Sequence, residues 1–297
     1  MFNFDSNTQF DSVGKDYPMA EFSWAITNSC NYNCSYCYAK KSMENSKDGD
    51  TSYKFILQRL KMCQVVFDIA LVGGEPTRHP KLQFIIDELD KIENCRVLEI
   101  YSNFTRPVDY YFKWRNIKKL NLKMSYHSEY HDNFIGKLKK AIEEKKTNFL
   151  VLINLSPNDK YWNNTEEILK LCKNNGIEYE INYLLSTETV QINYTEKFYE
   201  FFDDYITDNM NAEVEHIIGN KIYSIPESKI FKLGLSYRGM SCIPRMYRIE
   251  SSGDIINSCS GKRPRLVIRE EELAQSYICQ YQSCGCSAML LFNKVRK

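Results

Sequence analysis

Between residues 20 and 206 the chain switches six times from a short apolar run to a longer amphipathic one. AEFSWAIT (20–27), VVFDIALV (65–72), CRVLEIYS (95–102), KLNLKMSY (119–126), NFLVLINL (148–155) and IEYEINYLL (177–185) have the length and side chains of strands. YKFILQRLKMC (53–63), PKLQFIIDELDKI (80–92), VDYYFKWRNI (108–117), NFIGKLKKAIEEK (133–145), TEEILKLCKNN (165–175) and TEKFYEFFDDYI (195–206) read as the helices between and after them. Thr51 or Ser52 is placed to cap the first helix, and Gly176 to stop the fifth. Strands alternating with helices imply a parallel sheet with right-handed crossovers. The expected fold is α/β: a partial (βα)6 TIM-like barrel or strongly curved sheet, with no seventh or eighth unit.

From about residue 210 the rhythm stops. Short strands, turns and five cysteines (Cys242, Cys259, Cys279, Cys284 and Cys286) take over, and MYRIESSGDIINSCSG reads as a hairpin turning at Ser251–Asp254. The division expected is an N-terminal arm (1–19), a barrel (20–209) and a small cysteine-rich α+β extension (210–297) that needs a metal to hold its shape. The net charge of +1 gives no global field for nucleic acid or an acidic membrane. The basic runs GKRPRLVIR (261–269) and KVRK (294–297) read as a solvated face. The N-terminus lacks a basic region followed by an apolar one, and no stretch approaches the roughly 18 apolar residues of a membrane span. Eleven cysteines, clustered towards the two ends, point to metal or redox chemistry in a reducing cytoplasm rather than to a disulfide framework. Cys63, Cys95 and Cys172 fall within predicted elements and read as small buried apolar residues.

The chemistry concentrates in CNYNCSYC, where Cys30, Cys34 and Cys37 follow the first strand. The carboxyl edge of a parallel sheet is where ligands bind. A Cys-x3-Cys-x2-Cys loop is short enough to wrap one face of a cubane iron–sulfur cluster, and three thiolates leave one iron open to substrate. Half of a zinc ribbon and a thiol–disulfide pair in CSYC are the competing readings. The spacing is not that of a ribbon, and the pair leaves Cys30 unexplained. LVGGEPTRHP follows the second strand, with two glycines that permit close backbone approach and an acceptor in Glu75. Alone it would be a plain strand-to-helix turn.

CNYNCSYC resembles the Cys-x3-Cys-aromatic-x-Cys signature of radical S-adenosylmethionine (SAM) enzymes, with Tyr36 at the aromatic position. The resemblance implies a [4Fe–4S] cluster on Cys30, Cys34 and Cys37, with SAM chelating the fourth iron. Gly73, Gly74, Glu75 and Pro76 match the family's Gly-Gly-Glu-Pro segment, which contacts the methionine amino group. Ser102 and Asn103 end the third strand, and Ser125 ends the fourth, where family members place a small polar residue for the ribose. SYHSEYHD (125–132) sets His127, Glu129, His131 and Asp132 at the rim to orient substrate or move a proton. Equally, it is a solvated loop with Asp132 capping the next helix.

The C-terminal region resembles the shortened twitch or reduced SPASM extension of these enzymes. Cys242, Gly253 and Cys259 fit its pattern, although the last spacer is one residue long. The resemblance implies one auxiliary [4Fe–4S] cluster on four of the five cysteines: Cys242, Cys259, Cys279 and Cys284, with Cys286 spare. A zinc knuckle is the simpler alternative.

The activity implied is reductive SAM cleavage and hydrogen-atom abstraction. Post-translational modification of a peptide or protein stands ahead of oxidation or epimerisation of a sugar or aminocyclitol. The arm of about 20 residues is too short for a leader-binding winged-helix unit, which weighs against the peptide reading. A flavodoxin- or ferredoxin-type donor supplies the electron. An iron–sulfur electron-transfer protein and a zinc-stabilised binding protein are the readings from other classes.

Overall fold

The structure is a computed structural model describing residues 19–37, 52–184, 191–209, 213–218, 221–226, 229, 238–242, 245–250, 253–257, 277–280 and 294–296. Its main sheet starts with β1 (Met19–Thr27), β2 (Val66–Gly73), β3 (Cys95–Ser102), β4 (Leu120–His127), β5 (Leu150–Leu155) and β6 (Tyr179–Tyr183). Each pairs in parallel with the next, as five successive crossovers demand. The helices are α1 (Ser52–Lys61), α2 (Leu82–Asp90), α3 (Val108–Phe112), α4 (His131–Glu143), α5 (Trp162–Asn174) and α6 (Glu196–Asn209). This is the expected partial (βα)6 barrel.

Strand alternation divides the sheet into two chemically different faces. Trp24, Leu71, Ile100 and Leu122 stand in one cross-strand row, and all are buried. Helices cover this face with residues at helical spacing: Ile85, Ile86 and Leu89 of α2, Phe134 and Leu138 of α4, and Ile168, Leu169 and Cys172 of α5. Each such large side chain contributes about 1.5–3 kcal/mol by leaving water. The other face carries Glu21 opposite Asp68, Glu99 opposite Asn121, and Tyr101 opposite Lys123. A closed TIM barrel fills its interior with apolar layers, whereas this interior is polar.

Element boundaries differ from expectation at several ends. The helix expected over 108–117 ends at Phe112. Beyond it Trp114, Arg115 and Ile117 donate their amides three residues back, in tighter turns that bring the Trp114 indole N–H to Gln83 Oε1, 2.7 Å away on α2. Asp132 does not cap α4. It lies exposed in the first turn, and Tyr130 precedes the helix. The stop at Gly176 holds: Gly176 takes φ +63°, and the Ile177 amide returns to the Cys172 carbonyl at 3.0 Å. Cys63, Cys95 and Cys172 are buried, as expected.

The predicted hairpin is present as β10 (Met246–Ile249) and β11 (Ile255–Asn257), antiparallel. It does not stand apart: β10 adds in parallel to the free edge of β1, with Glu21 opposite Met246, extending the sheet to eight strands. A second sheet joins β7 (Glu213–Ile218), β8 (Lys221–Pro226), β9 (Ser241–Cys242), β12 (Tyr277–Ile278) and β13 (Lys294–Arg296) in the order β12-β9-β13-β7-β8. Among the described residues no helix is long and apolar enough to cross a membrane.

Candidate active site

The carboxyl end of β1 departs from regular pairing between Ala25 and Thr27, which turns the chain out of the sheet into the cysteine loop. The Thr27 hydroxyl fixes that turn by accepting the Ser29 amide at 3.0 Å. The end of β2 docks directly on it. Gly74 N–H donates to Thr27 O and Glu75 N–H to Ser29 O, both at 2.8 Å. A Cβ on Gly73 would lie 2.2 Å from Thr27 O, and one on Gly74 would lie 2.3 Å from Ser29 O. The close approach that requires glycine here is therefore to the cysteine loop's own backbone. Gly73 also takes φ +134°. The two motifs read separately in the sequence form one unit.

Glu75 is 1% exposed, and Pro76 behind it is buried too. Its carboxylate accepts four donors: Thr77 N (3.0 Å), Thr77 Oγ1 (2.6 Å), Ser102 Oγ (2.8 Å) and Asn103 N (2.7 Å). A buried carboxylate is stable only with such complete pairing. It ties the end of β2 to the end of β3. Ser102 passes the tie on to Tyr111 OH at 2.8 Å. Asn103 completes it towards the cysteines, donating from Nδ2 to Asn31 Oδ1 at 2.8 Å. Phe104 takes φ +58°, unusual for an aromatic residue, and is buried against Phe134 and Phe149.

The end of β4 grips the other side of the loop. Tyr130 OH accepts the Asn33 amide at 2.8 Å, and the Tyr130 ring stacks on Tyr32. Glu129 accepts both the Ser35 amide, at 2.9 Å, and the Ser35 hydroxyl. His127 Nδ1 lies 2.9 Å from Tyr36 OH and 3.7 Å from Cys34 Sγ. Burial holds the His127 pKa down to about 4, so its imidazole is neutral near pH 7. Ser125 is 9% exposed and sits opposite Leu152 of β5. His131 points elsewhere: it meets Tyr126 OH at 3.1 Å and Glu167 at 3.3 Å.

Of the residues singled out in the sequence, the structure thus brings together Cys30, Cys34, Cys37, Tyr36, Gly73, Gly74, Glu75, Ser102, Asn103, His127 and Glu129. It leaves His131 and Asp132 outside. Sequence reasoning missed Tyr32, Tyr130, Asn31 and Asn133. Their signal was the tyrosines and asparagines shared by CNYNCSYC and SEYHDN, two polar loops that must meet if both end neighbouring strands.

All three loop cysteines are free, Cys34 buried and the others half-buried. Burial pushes the Cys34 thiol up to about 12, with Glu129 and the neighbouring thiols adding to it, and raises Cys30 as well. Thiols in this setting stay protonated until a metal displaces the protons. Among the described residues no group of three His, Cys, Asp or Glu converges on a single ion, the arrangement a lone zinc needs. Three soft donors spread over one short loop suit a cluster, whose irons sit at separate corners.

A model of the radical SAM superfamily matches residues 24–191. The chain belongs to the radical SAM superfamily. It is therefore an iron–sulfur radical enzyme, and membership implies a [4Fe–4S] cluster and SAM at this site, which the donor set fits. Bovine molybdenum cofactor biosynthesis protein 1 is 30% identical over 96 residues, 31% of this chain and 15% of that protein's length. SuiB of Streptococcus suis shares the fold, with TM-score 0.54 and 17% identity over 82% of this chain and 62% of SuiB. So does anSMEcpe with bound SAM, with TM-score 0.55 and 18% identity over 81% of this chain and 74% of that one.

In the C-terminal region β9 and β12 pair with Cys242 opposite Tyr277, two residues from Cys279. The Cys279 amide donates to Met240 O at 2.8 Å. Cys279 is half-buried. Cys259, Cys284 and Cys286 lie outside the described residues.

Proposed function

We propose that this radical SAM enzyme modifies a peptide or protein after translation, by crosslinking, epimerisation or oxidation. The observation that carries the proposal is the polar face of the main sheet, which ends at His127 against the cysteine loop. Lys123 is held there between Glu99 (3.2 Å) and Glu180 (3.0 Å), and Tyr101 OH donates to Glu99 at 2.9 Å. Asn182 donates to Asn154 Oδ1 at 2.8 Å, nearer the mouth. Amides, a cation and carboxylates on one face suit a substrate rich in backbone amides. SuiB bound to its precursor peptide SuiA and anSMEcpe bound to the Cp18Cys peptide support the same class. The same polar face favours, as a second reading, oxidation or epimerisation of a sugar or aminocyclitol.

In this account Cys30, Cys34 and Cys37 hold the cluster. Tyr36, Gly73, Gly74, Pro76 and Ser125 line the SAM position. Glu75, Ser102 and Asn103 keep the ends of β2 and β3 aligned behind it. When bound, cluster and SAM together supply a 5′-deoxyadenosyl radical that removes a substrate hydrogen atom. The chain's part is to fix both partners and keep water away.

An auxiliary [4Fe–4S] cluster on Cys242, Cys259, Cys279 and Cys284 is part of the proposal, supported by the pairing of β9 with β12. So are the division into barrel (20–209) and extension (210–297), a flavodoxin- or ferredoxin-type donor, and a cytoplasmic location. The test supplies reconstituted enzyme, SAM and dithionite with a short peptide encoded beside its gene, or with an aminocyclitol. A mass change or deuterium exchange in the peptide alone supports peptide modification. A change confined to the aminocyclitol overturns it.

A further inference from the structure

His127 is held in an aromatic cage. Tyr36 lies nearly parallel to its imidazole, with centroids 6.0 Å apart and planes at 16°, and Tyr32 meets it edge-on at 5.9 Å and 87°. A ring fixed on two sides has one orientation, and this one aims Nδ1 at both Tyr36 OH and Cys34 Sγ. Nδ1 thus links the Tyr36 hydroxyl to the Cys34 sulfur. Cys30 has a different setting, with the Tyr32 amide donating to its sulfur at 3.4 Å.

As a thiol, Cys34 can donate or accept. As a metal-bound thiolate it has no proton and only accepts. The His127 Nδ1–H then faces the sulfur, and the Tyr36 hydroxyl beside it keeps the ring in that orientation. Hydrogen bonds to a ligating sulfur stabilise the extra negative charge of a reduced cluster and raise its reduction potential.

We propose that His127, held in place by the Tyr36 hydroxyl, is a built-in hydrogen-bond donor to the Cys34 thiolate that sets the reduction potential of the cluster this loop holds. The inference rests on the cluster reading above. Both residues are positioning residues: they act on iron through sulfur.

The test is an EPR-monitored anaerobic redox titration of the reconstituted enzyme. The open cluster is identified as the signal that changes when SAM is added. Tyr36→Phe removes one oxygen, His127→Leu removes the imidazole, and His127→Asn restores an N–H near the Nδ1 position. The expected result is a shift to more negative potential in Y36F and H127L, with iron content unchanged and a partial return in H127N. If H127L loses iron, Y36F and H127N decide. A wild-type potential in iron-replete Y36F and in the iron-replete His127 variants overturns the inference. A wild-type protein that holds no SAM-responsive cluster overturns the cluster reading itself, and the inference with it.

Discussion

The rings of Tyr32 and Tyr130 lie face to face, centroids 3.7 Å apart and planes 2° from parallel. Tyr32 belongs to the cysteine loop, and Tyr130 to the turn that follows β4. Asn133, on α4, adds a hydrogen bond to Tyr32 OH at 2.8 Å. A loop whose cysteines must take up iron cannot draw order from a hydrophobic core of its own. Here the order comes from β2 and β3 on one side and from the end of β4 on the other.

Tyr130→Ala removes both the stack and the acceptor for the Asn33 amide. The stack contributes about 0.5–1.5 kcal/mol and the hydrogen bond about 1 kcal/mol. The expected outcome is faster iron release to a chelator, with a small change in urea unfolding. Iron release at the wild-type rate would show that the stack does not order the loop.

Gly74 and Gly136 should respond oppositely to alanine. A Cβ at Gly74 meets backbone oxygen at 2.3 Å, and one at Gly136 meets nothing within 4 Å. Gly74→Ala should lower the melting temperature and the iron-binding capacity together. Gly136→Ala, inside α4, should raise stability by about 0.5–1 kcal/mol. Equal effects in thermal melts would contradict the docking of the two loops.

Glu75→Gln replaces an acceptor oxygen with an NH2 group facing donors. Leaving such buried groups unmatched costs about 1–3 kcal/mol. Urea unfolding of the iron-free protein should show this loss without any cofactor present. No loss would mean that the carboxylate does not tie β2 to β3.

Glu21 gives the clearest pH dependence. Burial, then Asp68 and Glu99, raise its pKa from 4.5 to about 7. An acid raised in the folded state binds its proton more tightly there, so its unfavourable effect on stability grows from pH 4.5 and levels off above 7. Glu21→Gln should therefore stabilise the protein on the order of 2 kcal/mol at pH 8 and have little effect near pH 4. A pH-independent difference in chemical unfolding would assign the effect to packing instead.

The strand–helix rhythm was legible because each unit buries one face, and burial imposes the period. Cys30, Cys34, Cys37 and Gly73–Pro76 were legible because their spacing is local. What escaped were relations between segments distant in sequence: Tyr32 with Tyr130, Asn31 with Asn103, Ser35 with Glu129. No period encodes these pairs, since the sheet brings them together only after it forms. The addition of β10 to β1 was hidden for the same reason, because a hairpin's pattern does not name the edge it joins. The close approach that the glycines of the second motif permit is to Thr27 and Ser29, a pairing that their own sequence does not name.

The central claim is that the Cys30–Cys34–Cys37 loop holds a cluster that cleaves SAM. Its most direct test is chromatographic detection of 5′-deoxyadenosine after anaerobic reconstitution with iron and sulfide, in the presence of SAM and dithionite. The account predicts 5′-deoxyadenosine from the wild type and none from a variant with all three cysteines changed to alanine. No 5′-deoxyadenosine from iron-replete wild type, or an undiminished yield from the triple variant, would contradict it.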